Sequence, residues 1–239
     1  MNALLLAAGF GSRLQPFTFS TPKCLVNVNG RPLLSYWLEI LSCAEIKNIY
    51  INTHWLANEV EKFISSNKWK KNIILLHEDV LLGSAGTILQ NIELFEGQEL
   101  FVAHADNLIW FDIDQFFASH FDRPKQTSMT MLCFTSSHPE KVGIVTRDEL
   151  GIVRKFREKP GTKKFGCVAN GAVYILSQEA LQTIKLNHKN AVDLSTDVLS
   201  KFDGDIFGVD ISGYLRDVGS PADLVEARVE FPKIYGRKI

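Results

Sequence analysis

The run Ala3-Leu4-Leu5-Leu6-Ala7-Ala8 is continuously apolar and ends in glycines, the pattern of a central parallel strand covered on both faces. Pro32 opens a helical spacing that puts Leu33, Trp37, Leu41 and Ala44 on one face, and Asn48 to Thr53 reads as a second strand. Leu56, Val60, Phe63 and Ile64 repeat the helical spacing, and Ile73 to Leu76 supplies a third strand. This βαβαβ alternation predicts an α/β fold with a doubly wound, mainly parallel sheet, its functional residues just after the strands. A further strand, Leu100 to Ala103, ends at His104-Ala105-Asp106, and a helix is expected near Ile113 to Phe121.

The pattern then changes. Ser128 to Thr135, Val142 to Thr146, Ile152 to Phe156 and Cys167 to Leu176 are strand-like with few helices between them, which predicts an antiparallel or mixed portion. Gln178 to Lys185 is helical, and Ser195 is the expected N-cap of a helix through Phe202. Ile206 to Val209 and Tyr214 to Val218 read as short strands, and Pro221 opens a last helix. Without a repeat, a linker or a low-complexity run, residues 1–239 are expected to form a single domain with halves at 1–110 and 111–239.

Composition narrows the classes. With 26 Lys+Arg against 27 Asp+Glu, a formal charge of −1 and 46% hydrophobic residues in 239, the chain is an ordinary globular protein and lacks the diffuse basic surface of a general nucleic-acid binder. Any cationic site must be concentrated. No stretch free of Asp, Glu, Lys and Arg exceeds 14 residues, shorter than a bilayer-crossing helix needs. The apolar start lacks a basic n-region and runs into a glycine turn, so it reads as a buried strand and not as a signal peptide. Cys24, Cys43, Cys133 and Cys167 form no C-x-x-C pair, which argues against a zinc knuckle or a disulfide framework and suits a reducing cytoplasm. The six histidines lack metal-ligand spacing, and no G-x-S-x-G elbow occurs.

Chemistry enters at Gly9-Phe10-Gly11-Ser12-Arg13-Leu14, where glycines allow close backbone approach and free N–H groups suit phosphate oxygens. A dinucleotide loop is disfavoured, because Leu14 replaces the third glycine and the second strand ends in Asn52-Thr53-His54 without a ribose-binding acid. No Walker string is present either. A Gly-x-Gly turn alone is as readily structural, but Arg13 and then Lys23 flank this one. A forked guanidinium and a movable ammonium together suit a triphosphate.

At this point the sequence resembles the sugar-1-phosphate nucleotidyltransferases, or sugar-nucleotide pyrophosphorylases. The residues that carry the likeness are Leu6 to Leu14, Pro16, Thr18, Pro22-Lys23, Leu25, Val28, Gly30, Pro32 and Leu33. The resemblance implies a Rossmann-like, GT-A-like fold whose first half binds nucleotide and whose second half binds sugar phosphate. It also implies that the backbone of Leu6, Ala7, Ala8 and Gly9 lies against base and ribose. Gly11 and Arg13 would hold the β- and γ-phosphates, with Lys23 on the α-phosphate and Ser12 among the nucleotide-binding residues. Asp106 and Asp217, which in isolation read equally as helix caps or surface acids, look like ligands for Mg²⁺, the latter within Asp217-Val218-Gly219-Ser220-Pro221. Ala105 departs from the family's usual glycine.

Glu158-Lys159-Pro160 is similar to the family's E-K-P motif, the acid on sugar hydroxyls and the lysine on the sugar phosphate; Asn107, Gly143 and Asn170 complete the implied acceptor set. Glu78 to Thr87 resembles the base-edge loop, with Gly83 and Ser84 nearest the base. A carboxylate such as Glu78 satisfies two guanine donors, whereas uracil and thymine need a donor as well; guanine is favoured, and the likeness is strongest to mannose- or heptose-1-phosphate guanylyltransferases. Arg13, Lys23, Asp106, Lys159 and Asp217 are then the catalytic set, acting by charge control on an acceptor phosphate that needs no general base. The resemblance runs to about Ala227, and with 22 residues after Asp217 a compact, cytoplasmic transferase unit is expected. It would have no nucleic-acid or membrane partner; a homodimer is left open. Rival readings are uridylyl or thymidylyl transfer, a phosphocholine-type cytidylyltransferase with Trp110 against the choline, and a silent nucleotide-binding regulatory subunit.

Overall fold

The computed structural model describes residues 1–66, 72–210 and 212–235. From the N terminus the chain forms β1 (Asn2–Leu6), β2 (Asn27–Val28), β3 (Arg31–Pro32), α1 (Leu33–Ser42), β4 (Ile49–Thr53), α2 (Ala57–Ser65) and β5 (Ile73–His77). Next come α3 (Gly83–Gln90), β6 (Leu100–His104), β7 (Asn107–Phe111), α4 (Ile113–Phe121), β8 (Met129–Thr135), β9 (Ile144–Arg147) and β10 (Val153–Arg157). The last elements are β11 (Val168–Leu176), α5 (Gln178–Asn187), β12 (Ile206–Asp210), β13 (Gly213–Asp217) and α6 (Pro221–Glu230). The fold is mixed α/β. Its residues cluster into two compact units interleaved along the chain: Met1–Leu81 with Ala103–Ile113 and Ser212–Ile239, and Leu82–Val102 with Asp114–Ile211. Among the described residues no helix is long and apolar enough to cross a membrane.

In the first unit β1, β4 and β5 are parallel, with Ala3 opposite Ile49 and Ile49 opposite Ile73. Every residue of β1 and β4 is buried, as a strand covered on both faces requires. The sequence pattern gave α1 a single apolar face, but Leu33, Leu34, Tyr36, Trp37, Leu38, Ile40 and Leu41 are all buried. A second cluster explains the difference: Val26, Val28, Leu108, Val218, Leu224 and Phe231 close over Leu33 and Tyr36. The Tyr36 hydroxyl donates to the Val28 carbonyl and the Trp37 indole to the Asn107 carbonyl, so the polar ends of both large rings are satisfied.

Of two ribbons in this unit, the first escaped the sequence reading, and of the second only the strand at Tyr214 to Val218 was expected, not its partner β7. β2 and β3 pair through Asn29-Gly30, whose φ angles of 50° and 74° make the two-residue turn that Asn-Gly favours. β7 pairs with β13 antiparallel, placing Asp217 opposite Asn107. α6 begins at Pro221 as expected, and the Ser220 hydroxyl accepts from the Asp223 N–H.

The second unit is largely antiparallel, as its strand spacing predicts. β8 pairs with β11, β11 with β9 and β9 with β10 in that sense, and β12 lies parallel to β8. The helix expected from a Ser195 cap is different. Asp193 is the cap, accepting from Thr196 N–H, while the Asp197 carboxylate takes the N–H groups of Val192 and Asp193 at 2.9 Å. That reciprocal hold winds Leu194–Val198 as one wide turn, followed by a tight turn over Leu199–Lys201.

Candidate active site

The glycine turn after β1 is fixed by what packs against it. Gly11 has φ +63°, and a Cβ there would lie 2.8 Å from Thr18 Cγ2 and 3.1 Å from Lys23 Cβ. The Thr18 hydroxyl donates to the Gly11 carbonyl. Ser12–Leu14 forms a single tight turn, so any anion here meets individual N–H groups and no long helix dipole. An open cleft borders this turn, lined by Leu6, Ala7, Gly9, Gly11, Ser12, Arg13, Lys23, Cys24, Asp106 and Gly219. Cys24 was not singled out from the sequence; burial pushes its thiol up to about 12, so it offers no thiolate near neutral pH.

Lys23 joins the two aspartates. Its ammonium is 2.6 Å from Asp106 Oδ2 and 3.2 Å from Asp217 Oδ1. The central sheet expected from the sequence delivers Asp106, but Asp217 comes from a separate two-stranded ribbon. The Ala105 N–H donates to the Leu6 carbonyl, setting Asp106 beside the end of β1, and the β7–β13 ribbon delivers Asp217 opposite its neighbour Asn107. Burial works against the Lys23 ammonium, but the two carboxylates outweigh it and hold its pKa above 10.5. Burial likewise pushes the Asp106 carboxyl up, yet Lys23 and His104 leave it below the usual carboxylate range. Arg13 remains 75% exposed at 3.8 Å from Asp217, a fork at the cleft mouth.

On the far side of β1 sits Glu78, only 4% exposed. Asn52 donates from its amide to Glu78 Oε1 at 2.8 Å and accepts the Ala7 N–H at 2.6 Å. The Ala7 amide is therefore committed to Asn52. His54 Nδ1 lies 2.8 Å from the Glu78 carbonyl, and the Glu78 N–H donates to Thr53. Asn52 and His54 are functional candidates that the sequence named only as the place where an acid is missing.

The remaining expected residues lie in the second unit, apart from Asn107, which is buried beside Asp106 in the first. Gly143, Glu158, Lys159 and Asn170 come together there. A Cβ on Gly143 would stand 2.8 Å from Glu158 Oε2, and the Asn170 N–H donates to the Gly143 carbonyl. A bulge in β11 re-aims Asn170: its side chain accepts from Ala172, at φ 53°, and donates to the Tyr174 hydroxyl. Burial, with Glu158 and Asp193 nearby, raises the Tyr174 phenol far beyond its ordinary value. Lys159, at φ +40°, is 68% exposed and 3.4 Å from Glu158.

Two expectations are altered. The stretch read as a base-edge loop is helical from Gly83 onward. Gly83 is required locally, because a Cβ would meet the Val192 carbonyl at 2.5 Å, and the Ser84 hydroxyl accepts from Leu194 N–H. Trp110 packs edge-on to Tyr235 against the Phe231 cluster, which removes it as an aromatic wall for a choline. Among the described residues no group of three or more His, Cys, Asp or Glu is placed to hold a metal.

A glycine cradle flanked by a buried ammonium, an exposed guanidinium and two carboxylates defines a protein of the nucleotide-handling α/β class. The chain belongs to the nucleotidyl transferase family, whose model matches residues 2–233. It is 28% identical over 230 residues to the mannose-1-phosphate guanylyltransferase catalytic subunit beta of Drosophila melanogaster, covering 94% of this chain and 61% of that protein. The Danio rerio protein of the same name is 27% identical, with 94% and 63% covered. The chain thus spans about three fifths of the length of these relatives. Its fold is shared with a Bacillus anthracis protein assigned as a glucose-1-phosphate thymidylyltransferase (TM-score 0.86, 21% identity, 100% and 98% covered). It is shared also with HddC of Yersinia pseudotuberculosis complexed with GMP-PN (TM-score 0.78, 23% identity, 96% and 99% covered).

Proposed function

We propose that the protein transfers the nucleoside monophosphate of GTP to a sugar 1-phosphate of the mannose or heptose type, releasing pyrophosphate. The observation that carries this reading is the Lys23 ammonium held between Asp106 and Asp217 at the glycine cradle. A site that binds polyanions has reason to keep both signs of charge so close. The names of the guanylyltransferase relatives support the base and the sugar, as does Glu78, a carboxylate able to take two donors from guanine.

In this mechanism Gly9, Gly11 and Ser12 offer backbone N–H groups to the triphosphate, and Arg13 takes oxygens of the departing pyrophosphate as a fork. Lys23 turns from the carboxylates to the α-phosphoryl oxygens and stabilises the charge that develops there. Asp106 and Asp217 fit Mg²⁺, which takes few protein carboxylates and completes its shell with phosphate and water. When bound, Mg²⁺ would supply Lewis-acid polarisation of phosphoryl oxygens at these two acids. On the acceptor side Glu158 and Asn170 hold sugar hydroxyls, and Lys159 holds the sugar phosphate, whose ionised oxygen attacks without a general base.

The test is pyrophosphate release across four nucleoside triphosphates and a panel of sugar 1-phosphates with Mg²⁺. GTP with mannose or heptose 1-phosphate is expected to lead. Another base leading would overturn the guanine assignment, release only with CTP and phosphocholine would overturn the acceptor, and no release with any pair would leave a nucleotide-binding regulatory subunit. Replacing Lys159 by alanine is expected to raise KM for the sugar phosphate about tenfold or more while leaving KM for GTP unchanged. An unchanged acceptor KM would remove Lys159 from the site.

A further inference from the structure

We infer that Asn52, Thr53 and His54, at the C-terminal end of β4, are positioning residues that clamp Glu78 and so set which nucleobase the site accepts. The inference rests on the reading of Glu78 as the group facing the base. Three consecutive residues grip three different groups of Glu78. The Asn52 amide holds the carboxylate at 2.8 Å, the Thr53 carbonyl takes the backbone N–H at 2.8 Å, and His54 Nδ1 meets the backbone carbonyl at 2.8 Å.

The hydrogen-bond partners fix every orientation. A backbone N–H only donates, so the Asn52 oxygen faces Ala7 and its NH₂ faces Glu78. A carbonyl only accepts, so His54 carries its hydrogen on Nδ1. The Phe10 ring meets the His54 ring edge-on at 5.3 Å, which ties the clamp to the glycine turn. Burying a carboxylate is unfavourable unless donors satisfy it, and an apolar residue would fill the same space more cheaply. A carboxylate held at 4% exposure by a dedicated donor suits a ligand with two adjacent N–H groups, as on the pairing edge of guanine. Asn52 also contacts Ala7, whose backbone lines the nucleotide cleft, so one amide sets base reader and cleft wall together.

Asn52→Asp separates the two contacts, because it keeps an oxygen for the Ala7 N–H and replaces the donor to Glu78 by a like charge. In the double variant Asn52→Asp with Glu78→Gln, donor and acceptor are exchanged and the hydrogen bond can re-form. The experiment measures GTP, ITP and UTP affinity by calorimetry, with thermal melts, for the wild type, both single variants and the double variant; ITP lacks the 2-amino group. The expected result is a loss of GTP affinity of about tenfold or more in Asn52→Asp, with collapse of the GTP-to-ITP ratio; the double variant is expected to recover the melting temperature but not the ratio, because the glutamine amide no longer offers guanine two acceptor oxygens. A wild-type ratio in Asn52→Asp, whatever its melting temperature, overturns the clamp. Should that variant fail to fold, His54→Leu against His54→Asn decides the matter. Leucine is expected to collapse the ratio and asparagine, whose amide can stand in for Nδ1–H, to restore it; equal ratios overturn the clamp. Wild-type preference for another base would strike the guanine assignment alone, and the clamp would then be judged on the ratio of the preferred to the disfavoured nucleotide.

Discussion

Replacing Lys23 by methionine is expected to lower kcat/KM for nucleotidyl transfer by about 10²–10³-fold, the range seen when one donor to a transition-state charge is lost. Pyrophosphate-release kinetics check it, and a wild-type kcat would show that Lys23 serves only the fold. Arginine is expected to rescue poorly. The Lys23 head group is a single point between two carboxylates with a side chain 10% exposed, and a planar fork cannot occupy that point. The same substitution leaves Asp106 and Asp217 facing each other without their cation. Asp217 is 56% exposed and Asp106 29%, so the loss of stability should fall between a surface pair and a buried one, about 2 kcal/mol.

The pH dependence of that loss has a definite sign. Lys23 is held above 10.5 in the folded state, so its contribution is complete below that value and disappears as pH rises through the folded pKa. Asp106 is held below 3.8, so its contribution is complete above that value and disappears as pH falls through the folded pKa. The stability difference between wild type and Lys23→Met should therefore be largest between neutral pH and about pH 9 and shrink as pH falls, because without Lys23 burial raises Asp106 and protonation relieves its uncompensated charge. Denaturant melts at several pH values measure it, and a difference that grows below pH 4 would contradict the ion-pair account.

Much of the site was legible because its chemistry follows strands directly. The apolar run to Ala8 announces β1 and the turn after it, and Arg13 and Lys23 lie within the next connection. Asp106 and Asp217 were legible as partners through the family resemblance, but the pairing of strands that brings them together was not. Their proximity comes from β7 and β13, whose pairing joins segments about a hundred positions apart, and short ribbon strands of five residues carry no periodicity that marks a partner. Asn52 and His54 were hidden for another reason. A polar residue at the end of a buried strand reads as a strand terminus, and only the folded chain shows that Asn52 turns to the carboxylate and His54 to the backbone carbonyl of Glu78, the residue just after β5. The wide turn after Asp193 was misread because Ser195 and Asp193 are both good caps by type, and the choice between them was made by Asp197, four residues further on.

Gly9 and Gly11 make opposite predictions although two residues apart. Gly11→Ala places a side chain at φ +63°, 2.8 Å from Thr18 Cγ2 and 3.1 Å from Lys23 Cβ. Left-handed strain and overpacking together are expected to cost about 2–3 kcal/mol, visible as a lower melting temperature before any nucleotide is added. At Gly9 an added Cβ meets nothing within 4 Å, so Gly9→Ala should melt within about 0.5 kcal/mol of wild type. Gly9 nevertheless lines the cleft, and in the proposed complex the space above its Cα belongs to the nucleotide. A methyl group there keeps the phosphates away from the backbone N–H groups, and GTP affinity is expected to fall by about 10²-fold, the equivalent of two lost hydrogen bonds to a charged group. A variant at Gly9 that melts like wild type and binds GTP like wild type would mean that the glycine turn is a bend in the chain and not a phosphate cradle, because no packing within the protein explains that position.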